Sequence, residues 1–209
     1  MLFITDDYSK CSVCEDAGRL ISYYSKVYNL DNVWFDKSTT TDGDFDNLIK
    51  DFDFQNMFLV PGNVFLVKNG VVMVAINEAI FEGVLRDYLI EYEFIDDIDT
   101  DYFIEDDGFD KLYNSNDKEL VLVYSADDKG YSYREDLFSL SNKYKFKYSV
   151  IRLGFGDTID TNEIVTKKMK NRYKLPVLMV VGNGKIIDYT TNKSNSKIEE
   201  FLKDNKFIK

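Results

Sequence analysis

The sequence predicts an α/β protein of two similar domains, each ordered βαβαββα with a central mixed sheet flanked by helices. Short apolar runs alternate with stretches of helical spacing in both halves of the chain. Each half also holds an Asn-Gly pair between two β-rich runs, at Asn69 and Asn183, which is a strong hairpin signal. The only two prolines, Pro61 and Pro176, precede these hairpins and lie 115 residues apart, against 114 for the two asparagines. This matched spacing indicates an internal repeat.

In the first half, an apolar run predicts a strand at Leu2–Thr5. Ser12 and Glu15 have the spacing of a capping box, which predicts a helix that starts at the cysteine pair; apolar positions at helical spacing continue it to Tyr28, and Asn29 to Asn32 end it. A second amphipathic helix is predicted from Phe45, Leu48, Ile49 and Phe52, and a closing helix from Ile80, Val84, Leu85, Leu89 and Tyr92. The remaining strands are predicted at 32–35, 64–67 and 71–74.

The second half repeats this order, with strands at 120–123, 148–153, 177–181 and 185–189 and helices over 133–144, 163–173 and 198–202. Between the halves, residues 96–118 are rich in Asp, Glu, Asn and Gly, which predicts an acidic linker lying against a domain through its scattered aromatic residues. The predicted domains are therefore 1–95 and 119–209, joined by the linker 96–118.

The amino-acid composition limits the kinds of catalysis and metal binding that the chain can support. The 209 residues include no histidine, which excludes histidine-based acid–base catalysis and histidine-ligated metals. With only two cysteines, a zinc site would need carboxylates or a second chain, so no metal is predicted. No run of 18 apolar residues occurs, and acidic Asp6 and Asp7 near the start do not fit a signal peptide. We expect no membrane association and a cytoplasmic location.

Charge is distributed unevenly. Residues 1–110 carry 24 Asp and Glu against 7 Lys and Arg, whereas residues 111–209 carry 13 against 19. A basic second domain could dock an acidic partner; alternatively, the two halves attract each other or the charges are only solvated. The basic stretch with Lys167, Lys168, Lys170, Arg172 and Lys174 is interpreted as a solvated helix face rather than a nucleic-acid site.

The two cysteines, Cys11 and Cys14, form a Cys-x-x-Cys motif at a predicted strand-to-helix junction. There the amides at a helix start favour a thiolate, which indicates redox chemistry; two unremarkable cysteines or half of a zinc site are the alternatives. Cys11, at the exposed helix start, would be the attacking thiolate, and Cys14 would resolve the mixed disulfide. Lys10 would favour the Cys11 thiolate, and the neighbouring carboxylates would oppose it.

The predicted order of elements in the first half resembles the thioredoxin fold: a strand, a Cys-x-x-Cys helix, a strand, a helix, a proline-started hairpin and a last helix. The resemblance implies that Pro61 is cis and lies beside the cysteines, and that the backbone of Val60 pairs with substrate. The predicted substrate-binding residues are therefore Lys10, Val60 and Pro61. The stretch from Lys10 to Ile21 resembles small phage-encoded glutaredoxins and thioredoxins, which implies host cytoplasm or virion as the location. The short segment before Cys11 is similar to glutaredoxins, because thioredoxins carry an extra leading strand and helix.

Glutaredoxins follow the hairpin with a Gly-Gly-x-Asp that helps to hold glutathione. This chain has Val74-Ala75-Ile76-Asn77-Glu78 there, which argues against glutathione, so no cofactor beyond a reversible Cys11–Cys14 disulfide is expected. The second half has Ala126 to Gly130 where cysteines would stand, and resembles the inactive, binding domains of thioredoxin-fold proteins. The resemblance implies a thiol–disulfide oxidoreductase that acts on a protein disulfide or accepts electrons from a reductase. The alternative is a non-catalytic interaction or virion protein.

Overall fold

The computed structural model describes residues 1–7, 11, 13–41, 43–44, 46–47, 50, 60–77, 82–96, 101–103, 108–153, 167–169 and 173–209. The chain divides into two compact units, Met1–Asp97 and Ile98–Lys209. Each unit has one mixed sheet with helices beside it, so the predicted α/β class with two thioredoxin-like domains is confirmed. Within the described residues, no helix is both long and apolar enough to cross a membrane.

Unit 1 has a four-stranded sheet in the order β2-β1-β3-β4. Strand β1 pairs parallel with β2 and antiparallel with β3, and β3 pairs antiparallel with β4. Leu2, Ile4 and Phe65 are buried together at its centre. The elements are β1 (Leu2–Thr5), α1 (Cys14–Tyr28), β2 (Val33–Asp36), β3 (Val64–Lys68), β4 (Val71–Ile76) and α2 (Glu82–Glu91). The four apolar positions that predict the second helix lie outside the described residues.

Unit 2 has a five-stranded sheet in the order β5-β7-β6-β8-β9. Strands β5, β6 and β7 run parallel, while β8 is antiparallel to β6 and β9. The elements are β5 (Asp101–Phe103), α3 (Gly108–Asn114), β6 (Glu119–Ser125), α4 (Asp128–Tyr144), β7 (Tyr148–Leu153), β8 (Val177–Gly182), β9 (Lys185–Thr190) and α5 (Asn195–Asp204). Of the predicted basic helix, only residues 167–169 and 173 are described, and 167–169 are helical.

The predicted linker over 96–118 is wrong, because most of its described residues form β5 and α3 of unit 2. β5 pairs with β7, and Phe109 of α3 is fully buried in the core of the unit. Leu112 and Tyr113, three and four residues further, pack against the same core, which is the spacing of one helix face. Unit 2 therefore has the extra leading strand and helix that the resemblance assigns to thioredoxins, and unit 1 begins directly with β1.

This boundary also corrects the predicted basic character of the second half. Counted by unit, residues 1–97 carry 18 Asp and Glu against 7 Lys and Arg, whereas residues 98–209 carry 19 of each. The acidic segment before residue 111 belongs to unit 2 and balances its lysines. The whole net charge of −11 therefore resides in unit 1, and unit 2 is neutral overall. The overall charge of unit 2 thus no longer supports a basic surface for an acidic partner.

The internal repeat extends to backbone detail. Both hairpin turns have two consecutive residues with positive φ, Asn69-Gly70 and Asn183-Gly184, as a type I′ turn requires. Three residues after each glycine, the last strand has one residue without a partner, Met73 in β4 and Ile187 in β9, which forms a β-bulge. The common backbone of the two hairpins therefore includes an irregularity that hydrophobic patterning does not show.

Candidate functional site

Cys11 and Cys14 are joined by a disulfide, with their Cα atoms 5.4 Å apart. Cys11 lies in the loop after β1, where its N–H donates to the carbonyl of Asp7 at 3.1 Å. Cys14 is the first residue of α1, and its N–H donates to the carbonyl of Cys11 at 3.2 Å. Cys14 is fully buried and Cys11 is 6% exposed, so Cys11 is the more accessible cysteine but is less exposed than the sequence predicts.

The start of α1 differs from the predicted capping box. The residue before the helix is Val13, which has helical φ and ψ and no side-chain cap, and Ser12 lies outside the described residues. Glu15 accepts a hydrogen bond from the Arg19 guanidinium at 2.5 Å. Its carboxylate is thus engaged one turn further along the helix, an i,i+4 pairing that is visible in the sequence.

A tight turn, Val60–Asn63, lies against the cysteine loop. The N–H of Asn63 donates to the carbonyl of Val60, with Pro61 second and Gly62 third in the turn. Gly62 has φ of +96°, and a Cβ there would lie 2.9 Å from a methyl group of Val13. Glycine is therefore required both by the left-handed backbone and by the close approach to the residue between the cysteines. The structure thus brings the predicted proline segment to the cysteine motif.

Two expectations for this turn change. The Val60–Pro61 bond is trans, and the cis bond found among the described residues is Leu175–Pro176 in unit 2. Val60 is 48% exposed, as a residue that pairs with substrate would need to be, but its carbonyl is already occupied by Asn63. The segment from Pro61 to Asn69 is one residue longer than that from Pro176 to Asn183, and this extra residue lets it close as a turn. Lys10, the third predicted substrate-binding residue, lies outside the described residues.

Carboxylates precede and follow the two cysteines along the chain. Asp7 is exposed, and the Asp6 carboxylate accepts the Asp7 N–H at 2.7 Å. In the first turn of α1, the side chains of Glu15 and Asp16 are 53% and 15% exposed, and both lie within 3.5 Å of Arg19. Where the structure is described, no three Cys, Asp or Glu residues are grouped so as to hold a metal ion.

Unit 2 has a polar cap in place of the disulfide. Asn29 and Lys145 end α1 and α4 in the same left-handed conformation, and Gly130 precedes Lys145 by the same 15 residues that separate Cys14 from Asn29. At the position of Cys11, the Asp127 carboxylate accepts the N–H of Gly130 at 2.7 Å. Desolvation raises the pKa of Asp127, but hydrogen bonds from Gly130 and Ser125 outweigh it and leave that pKa below its ordinary value. The start of α4 therefore carries a negative charge but has no sulfur that could take part in disulfide exchange.

No family model matches the chain, and no curated protein matches it. Among solved structures, it is similar to the oxidised thioredoxin of Plasmodium falciparum at 16% identity, over 51% of this chain and 98% of that one, with a TM-score of 0.41. It is also similar to mitochondrial thioredoxin 3 of Saccharomyces cerevisiae at 17% identity, over 49% and 93% of the two chains, with a TM-score of 0.38. Similarity at this level transfers no activity, substrate or partner to this chain.

Proposed function

We propose that this chain is a thiol–disulfide oxidoreductase whose Cys11–Cys14 pair exchanges with a disulfide of another protein. The observation that supports the proposal most is the disulfide itself, which joins the loop before α1 to the first residue of that helix, with Cys11 as the less buried cysteine. The adjoining Val60–Asn63 turn leaves Val60 exposed beside it, where a partner chain could rest. Unit 2, which lacks cysteine, takes a binding or positioning role in this proposal.

In the reducing direction, the Cys11 thiolate attacks one sulfur of the partner's disulfide, and the partner's other sulfur leaves as a thiolate that takes a proton from water. Cys14, after losing its proton to water, then attacks the Cys11 sulfur of this mixed disulfide. The partner's second sulfur leaves, the Cys11–Cys14 disulfide forms, and two electrons have passed to the partner. A small dithiol such as dithiothreitol supplies two electrons to restore the reduced pair.

The proposal is tested by following reduction of a fluorescent peptide disulfide by the full chain with dithiothreitol. Cys11→Ser should reduce the rate to that of dithiothreitol alone, because the attacking sulfur is gone. Cys14→Ser, reduced beforehand and freed of dithiothreitol, should retain the first attack and accumulate the mixed disulfide, which intact-mass spectrometry detects. Ser22→Ala, at an exposed position of α1, is the matched control and should keep the wild-type rate. A Cys11→Ser variant as active as this control would refute the proposal.

A second candidate, a non-catalytic interaction protein with a static cross-link, is favoured by the burial of both cysteines. Iodoacetamide labelling of the reduced, folded chain separates the two. An exchanging pair requires Cys11 to label at least about tenfold faster than Cys14, because only an accessible thiolate reacts. A static cross-link predicts that both cysteines label only at the rate of global unfolding.

A further inference from the structure

We propose that the Cys11–Cys14 site selects disulfides whose flanking residues are positively charged. This inference rests on the proposed function and names the substrate class for that same site. It starts from the charged groups on each segment that adjoins the disulfide. Within the part of the chain that the structure describes, these segments are the loop after β1, the first turn of α1 and the Val60–Asn63 turn.

The loop after β1 carries two carboxylates, five and four residues before the more accessible cysteine. The backbone carbonyl of Asp7 accepts the N–H of Cys11 at 3.1 Å, which holds these two residues together. Asp7 is exposed, and Asp6 beside it is partly exposed. A partner that presents its disulfide to Cys11 must therefore approach this loop.

The helix adds two further carboxylates, and one cation offsets them in part. Glu15 and Asp16 directly follow Cys14, and Arg19 lies 2.5 Å from the first and 3.5 Å from the second. Over residues 6–19 there are four carboxylates against Lys10 and Arg19. The Val60–Asn63 turn on the other side contains no charged residue.

Helix stability explains only half of this pattern. Glu15 and Asp16 in a first turn complement the positive end of the helix dipole, so they would be expected even without a partner. Asp6 and Asp7 precede the helix by several residues and have no such role. Asp7 is also exposed, and its backbone contacts Cys11.

The charge of the whole unit reinforces the local pattern. Unit 1 carries 18 Asp and Glu against 7 Lys and Arg, so its long-range field attracts cations. Complementary charge raises association rates by about 10- to 1000-fold, and added salt removes most of the gain. The selectivity should therefore appear in kcat/KM and should depend on ionic strength.

The test compares two peptide disulfides that are identical except for lysines or glutamates flanking the cystine. At low salt, the lysine peptide should have a kcat/KM about tenfold higher, and the ratio should fall toward one at about 0.5 M salt. Asp7→Asn combined with Glu15→Gln should lower the low-salt ratio several-fold. Glu93→Gln is the control, since Glu93 is 87% exposed near Lys68, at the far end of β3 from the cysteine site, and it should leave the ratio unchanged.

Each outcome is decisive. Equal rates for the two peptides in wild type, or faster exchange with the glutamate peptide, would overturn the charge selectivity while leaving the proposed function intact. Failure to exchange with either peptide would instead remove the proposed function. Because the salt dependence uses the wild-type chain, a variant that folds poorly does not affect the decision.

Discussion

Two tyrosines in the core of unit 2 differ in how their hydroxyl groups are satisfied. Tyr124 is fully buried, and its hydroxyl accepts a hydrogen bond from the buried Arg134 guanidinium at 2.7 Å. Tyr133 is also buried, yet its hydroxyl has no hydrogen-bond partner among the described residues. Burial, assisted by the charge of Asp136, raises the pKa of Tyr133 far above its ordinary value, so the hydroxyl stays neutral.

Removing these hydroxyls should have opposite effects. Tyr133→Phe should leave the free energy of unfolding unchanged or raise it by about 1 kcal/mol, since a buried polar group without a partner is lost. Tyr124→Phe should lower it by about 1–3 kcal/mol, because the buried guanidinium loses an acceptor. Urea unfolding at neutral pH measures both. Equal destabilisation by the two substitutions would contradict this account.

At the residue scale, the sequence predicts the identities of reactive groups better than their surroundings. The spacing of Cys11 and Cys14 marks the disulfide without any structure. The pairing of Glu15 with Arg19 also follows from i,i+4 spacing. The contact of Arg134 with Tyr124 joins residues on α4 and β6, so it depends on packing that periodicity does not specify.

At the scale of elements, Gly130 controls how closely α4 approaches β6. A Cβ at this position would lie 2.0 Å from the carbonyl oxygen of Ser125 and 2.7 Å from the ring of Tyr124. Backbone cannot move aside as a flexible side chain can. The position that corresponds to Cys14 in unit 1 therefore has no room for any side chain in unit 2.

Gly130→Ala should lower the free energy of unfolding by about 1–3 kcal/mol or more, because the helix must shift away from the strand. Gly184→Asn is the control: a Cβ there has no neighbour closer than 3.7 Å, and asparagine tolerates the positive φ of that turn. Thermal unfolding followed by circular dichroism compares the two. If Gly130→Ala is as stable as the control, the close approach of α4 to β6 is wrong.

Elements with clear periodicity were predicted well, and the misses have physical causes. β1, the two hairpins and α1 follow from apolar spacing and turn chemistry. β5 was missed because Asp101 and the surrounding acids hide a strand of three residues that is held by pairing with β7. The helix α1 starts within the cysteine pair, at Cys14, with Val13 as its N-cap; Ser12, the predicted cap, lies outside the described residues.

At the scale of the whole molecule, the disulfide constrains one unit only. It closes a loop of four residues within unit 1, for which the chain-entropy model gives a stabilisation of about 2 kcal/mol. The only tryptophan, Trp34 in β2, belongs to the same unit and packs edge-on against Phe3. Tryptophan fluorescence therefore reports on the unit that holds the disulfide.

Dithiothreitol should lower the free energy of unfolding of unit 1 by up to about 2 kcal/mol. Urea unfolding followed by Trp34 fluorescence measures this as a lower midpoint. Hydrogen exchange of peptides from β6 and β8 should not change, since their core lies in the other unit. The double variant Cys11→Ser, Cys14→Ser should no longer respond to dithiothreitol. Equal loss of protection in both units would show that they unfold together.

The bulges at Met73 and Ile187 have a consequence for how this protein behaves at high concentration. Each interrupts the regular hydrogen-bond ladder of an edge strand, β4 or β9. A strand from a neighbouring molecule laid along either edge would find donors and acceptors out of step after a few residues. Strand β4 can therefore expose Val71 and Met73 without offering a regular edge on which a neighbouring strand could pair.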